Sequence, residues 1–150
     1  MSILKALGDM KHSNSKKDQE FKKQFEACEF PAAEFNHKEH LRLAYVYLSE
    51  NNTESSIELI RSSLQRFLEH NKVDPTKYHE TLTRAWILAV RHFMNKTEGC
   101  NSADELISRN PEMLDSKIMM THYSTEVLFS DEARAGFVQP NLDPIPIYDD

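Results

Sequence analysis

The chain has 150 residues, 39% hydrophobic and 28% charged, with 24 acidic against 18 basic side chains and a net charge of −6. That length supports one domain burying roughly two thirds of its unfolded surface, and the composition excludes a wholly disordered chain. The acidic balance argues against nucleic acid as a partner, and no apolar window is long enough to serve as a membrane span or a signal peptide, so a cytoplasmic protein is expected.

Residues 1–17 carry Lys, Ser, Asn and His without sustained periodicity and are expected to form a flexible arm. A helical domain follows over 18–138. Phe21, Phe25 and Cys28 recur at helical spacing, and Pro31 ends that first helix. Asn36 with Glu39 forms a capping box, opening a helix that stacks His37, His40, Leu41, Ala44 and Leu48 on one face to about residue 50. The next helix, about 54–70, places Ile57, Ile60, Leu64, Phe67 and Leu68 inward and leaves Glu58, Arg61, Ser62 and Gln65 to water.

Asp74-Pro75 is a strong helix start, predicting a helix to about residue 94 with His79, Leu82, Trp86, Ala89, Val90 and Phe93 on one face. Its apolar run 85–90 marks it as the expected central helix. Ser102 with Glu105 introduces a short helix that Asn110-Pro111 ends, and one- or two-turn helices are expected at about 115–122 and 130–137. Residues 139–150, with Pro140, Pro144 and Pro146, must be extended and form a candidate strap across the bundle. The fold class expected is therefore all-α: an orthogonal or irregular single-domain bundle with an extended C-terminal tail.

Only three glycines occur, so neither a dinucleotide fingerprint nor a phosphate loop can be built. Cys28 and Cys100 form no C-x-x-C pair, which points to reduced thiols. No G-x-S-x-G elbow supports covalent catalysis. Histidine is the chemically suggestive residue. His37 and His40, three apart, share one side of a helix and one candidate metal ion, and His79 opens the buried face of another helix.

Should these helix ends meet, three neutral imidazoles would suit Zn, Cu, Fe or Ni, with a fourth position open to a small-molecule substrate entering between the two helices. Two other readings stand beside this one. The same residues are explained in a non-catalytic interaction module, with His37 capping a helix and His40 and His79 as core imidazoles bonded to carbonyls or to hydroxyls such as those of Tyr45, Tyr47 or Tyr78. They are also explained as metal-free acid and base groups acting with Glu39 or Glu80. Glu34 and His37 match the E-x-x-H of di-iron bundles, but no second copy exists. His122 is a weak candidate for a fourth ligand, while His70 and His92 look structural or solvated.

The stretch from Phe35 to Leu48, F-x-H-x-x-H-L-x-x-A-x-x-Y-L, followed by Tyr78 to Trp86, Y-H-x-T-L-T-x-x-W, resembles a small bacterial family of uncharacterised activity. The similarity extends through Tyr123-Ser124, Leu128-Phe129-Ser130 and 137–142, with Gln139-Pro140-Asn141 departing from that family's acidic Pro-Asp. The resemblance implies that His37, His40 and His79, with Tyr78, Thr81, Thr83 and Trp86, occupy recurring positions. Metal and acid–base chemistry both remain open on it.

Overall fold

Side chains that accept hydrogen bonds from free backbone N–H groups set the helix starts in this chain. In the computed structural model, which describes residues 12–148, seven α-helices follow one another and no strand occurs among the described residues. They are α1 (Lys16–Glu26), α2 (His37–Glu50), α3 (Thr53–His70), α4 (Glu80–Lys96), α5 (Ala103–Arg109), α6 (Thr125–Leu128) and α7 (Asp131–Ala135). Short 3-10 turns lie at Ala32–Glu34, Pro75–Lys77, Pro111–Leu114 and Ser116–Thr121. Ser15, Asn52, Ser102, Ser124 and Ser130 cap α1, α3, α5, α6 and α7 through their side-chain oxygens. At α2 the Glu39 carboxylate accepts from the Asn36 N–H at 3.0 Å. No helix among the described residues is long and apolar enough to cross a membrane.

The centre of the bundle is shared differently from the expectation. Eight consecutive residues of α2, Leu41 to Leu48, are buried, so this helix is enclosed on all sides by α1, α3, α4 and α5. α4, expected alone at the centre, packs beside it and also against α3 and α7. The enclosure of α2 includes a charge. Arg42 is buried and donates from Nη1 to Asp18 at 2.5 Å and from Nη2 to Asp104 at 2.6 Å. Asp18, fully buried, also accepts from the N–H groups of Ser15 and Ala103, and so joins α1, α2 and α5. A buried ion pair keeps its charges only when the remaining polar atoms are answered in this way.

Of the stretch expected as an arm, residues 1–11 lie outside the described residues, and 12–17 are packed or helical. His12 is buried, its Nε2–H donating to the Met94 carbonyl at 2.8 Å and its Nδ1 accepting from the Cys100 N–H at 3.1 Å. At the other end, residues 137–148 are extended and cross the bundle as a strap. Val138 N–H donates to the Thr81 hydroxyl, Leu142 N–H donates to the His122 carbonyl, and Ile145 is buried. Both cysteines are free thiols, and burial pushes the Cys100 thiol up.

Candidate functional site

The N-terminal half of α2 does not close completely on its neighbours. A cavity of about 430 Å³ opens there, walled by His37, His40, Leu43 and Ala44 of α2, Ile60 and Leu64 of α3, and Leu82, Thr83, Trp86 and Ile87 of α4. The 3-10 turn Ser116–Thr121 contributes Ser116, Lys117, Met119 and Met120, and Leu128 with Phe129 closes another side. Size and lining are those of a small-molecule site: mostly apolar, with a few convergent polar groups. Phe129 is 56% exposed and forms part of the mouth.

His37 begins α2. Its Nε2–H donates to the Met113 carbonyl at 2.9 Å. A carbonyl oxygen only accepts, so that nitrogen carries the proton and Nδ1 is left with its lone pair when the ring is neutral. The ring stands edge-on to Trp86, the only tryptophan, with centroids 4.6 Å apart.

His40, one turn later, lies against Phe35 with ring centroids 4.2 Å apart. Among the described residues neither of its ring nitrogens has a hydrogen-bond partner, unlike those of His12 and His79. Its cavity side is open to water while its other sides are enclosed by protein. Burial pushes its pKa down to about 4, the nearby His37 acting in the same direction, so His40 is a neutral imidazole at neutral pH.

His79 goes elsewhere. The helix expected from Asp74-Pro75 is broken: Asp74 caps only the turn Pro75–Lys77, Tyr78 is extended, and His79 is the N-cap of α4. Its Nδ1 accepts from the Leu82 N–H at 3.1 Å and its Nε2–H donates to the Leu128 carbonyl at 2.7 Å. Both nitrogens are therefore committed, and the ring does not line the cavity. Burial lowers its pKa, which keeps the neutral tautomer that both bonds require.

The structure thus brings His37 and His40 together on one wall and leaves His79 as a clamp between α4 and the Leu128 segment. Among the described residues no group of three His, Cys, Asp or Glu side chains is gathered as a metal would require. The expected acid–base partners are also engaged. Glu39 caps α2, and Glu80 receives both arms of Arg61 and the Tyr78 hydroxyl, the Arg61 bonds holding its carboxyl below the usual range. The Tyr45 hydroxyl donates to the Ser13 carbonyl and the Tyr47 hydroxyl to Glu26, not to a histidine. His122 donates to the Asp143 carbonyl, and His92 shares a hydrogen bond with Tyr148.

Sequence reasoning missed the side formed by residues 116–129. The spacing marks a short helix at about 115–122, where the structure has the 3-10 turn Ser116–Thr121, but pieces of one or two turns carry no periodicity that would say which side faces a cavity. Compared with protein-family models, with curated proteins and with solved structures, the chain matches none.

Proposed function

We propose that this protein binds a small, largely apolar molecule in the cavity, and that His40 meets the polar atom of that molecule. The observation that carries this reading is the placement of His40: an imidazole on a cavity wall with no hydrogen-bond partner among the described residues. A polar group so placed is satisfied by water or by a ligand. As a neutral base it is also the group able to accept a proton from what binds there.

A second reading keeps a transition metal. The His37 Nε2–H bond to the Met113 carbonyl is the arrangement by which metal-binding histidines are oriented, and it leaves Nδ1 for an ion shared with His40. His79 cannot join without giving up its cap or its bond to Leu128. Zn, Cu, Fe and Ni all accept imidazole.

The test is a titration of the full chain with toluene, following the Trp86 indole and the histidine ring signals by NMR, beside metal analysis of the purified protein by plasma mass spectrometry. Joint shifts of the Trp86 indole and of the carbon-bound ring protons of His37 and His40, which sense a neighbouring ring without a hydrogen bond, with substoichiometric metal support the first reading. One ion per chain, lost in His37→Ala and in His40→Ala, would replace it with the second.

A further inference from the structure

The charge of the cavity wall narrows what it can hold. No Asp, Glu or Arg is among the described lining residues, and the one formal charge, Lys117, is on an exposed residue at the mouth. The positive end of α2 also opens here, at Asn36, but the Glu39 carboxylate already accepts from that N–H. An anion is not needed there. Lys117 aside, the polar groups of the wall are the Asn36 amide, the Thr83 and Ser116 hydroxyls and the two imidazoles, with Nδ1 of His37 left over by the Nε2–H bond to Met113 and both nitrogens of His40 without a partner among the described residues. A carboxylate or an ammonium placed against them finds no counter-charge, and an unpaired buried charge is strongly disfavoured. A neutral hydroxyl that donates one hydrogen bond is satisfied.

The apolar part of the wall narrows the choice further. Three rings, Phe35, Trp86 and Phe129, face this space, and aromatic walls favour planar partners through edge and offset contacts. The volume, about 430 Å³, is that of roughly fourteen waters at about 30 Å³ each, enough for one substituted ring or two fused rings.

Resting on the small-molecule reading above, we infer that the cavity takes a neutral aromatic alcohol, a phenol, whose O–H donates to the lone pair of His40 while its ring lies among Phe35, Trp86 and Phe129. The apolar ring then replaces cavity water and the hydroxyl answers the unpaired imidazole. Lys117 plays no part in holding it.

The experiment compares four probes of one shape on the full chain: p-cresol, toluene, p-toluate and 4-methylbenzylammonium. Dissociation constants are read from Trp86 fluorescence, and the His40 ring nitrogens are followed by NMR in the unmodified protein. The expected order is p-cresol first, toluene weaker by about three- to tenfold, and both charged probes weaker than p-cresol by roughly tenfold or more. The lone-pair nitrogen of His40 moves with p-cresol and not with toluene. In His40→Leu, p-cresol and toluene bind alike.

Toluene binding with no preference for p-cresol overturns the phenol assignment and leaves the small-molecule reading standing. Equal or tighter binding of p-toluate, lost in Lys117→Ala, overturns it in favour of an anion. Failure of all four probes overturns both.

Discussion

Two histidines of this chain end in opposite situations, and the contrast extends to the regions around them. His79, like His12, spends both ring nitrogens on backbone groups and ties together segments distant in sequence. The same economy holds around Asp18, where carboxylate, guanidinium and two backbone N–H groups answer one another. On the same helix as Arg42, two residues earlier, His40 has no such partner and faces a cavity. A polar group that the protein satisfies internally is architecture. One left facing an apolar hollow is available to a ligand. Residue type and spacing do not separate the two cases; only the partners do.

Removing the buried carboxylate breaks the satisfied region first. Asp18→Ala leaves Arg42 short of its best-buried partner and costs about 3–5 kcal/mol, measured by urea unfolding. His40→Leu is its counterpart on the cavity side and changes stability by less than about 1 kcal/mol, since no internal bond is lost. Similar losses at both positions would erase the contrast.

His79→Ala removes a cap and a buried hydrogen bond and lowers stability by about 1–3 kcal/mol. Because the clamp holds the Leu128 segment, toluene binding weakens with it. His92→Ala, beside the strap, leaves that binding unchanged.

Acidity acts on both kinds of histidine in one direction. Burial lowers the pKa of His12, His40 and His79 below the ordinary 6.5, to about 4 for His40. Between these limits the unfolded chain binds protons that the folded chain refuses, so stability rises with pH across the window. The stabilisation is fully present above pH 6.5 and is lost progressively as pH falls toward about 4. Urea midpoints at several pH values across that window check this; a flat profile would mean that these rings stay hydrated in the fold.

The smallest effect expected is a gain. Lys72, just past α3, has φ 57°, a left-handed conformation that glycine adopts without strain. Lys72→Gly is expected to raise stability by up to about 1 kcal/mol in the same unfolding assay.

Much of this fold is legible in the sequence because it rests on local chemistry. The Asn36 and Glu39 pair marks the start of α2, Ser102 marks α5, and three prolines mark the extended strap. Its misreadings have physical causes. Asp74-Pro75 does cap, but only one 3-10 turn, and the helix restarts on a histidine, an uncommon N-cap. The burial of Arg42 depends on Asp18 and Asp104, neither of which is near it in sequence.

The candidate site divides along the same line. The placement of His37 and His40 on one helix face follows from their spacing, as does Trp86 on the facing helix. The loss of His79 to the backbone does not, because it is decided by the carbonyl of Leu128, 49 residues away.

His40, a neutral imidazole with no partner among the described residues, stands ready for a ligand. The most direct test of that role is an NMR pH titration of all histidine rings in nitrogen-15-labelled protein, with and without p-cresol. His40 is expected to stay neutral until about pH 4 and to respond to p-cresol together with Trp86, while His12 and His79 do not respond to the probe. A His40 ring that titrates near 6.5 and ignores the probe would contradict that role.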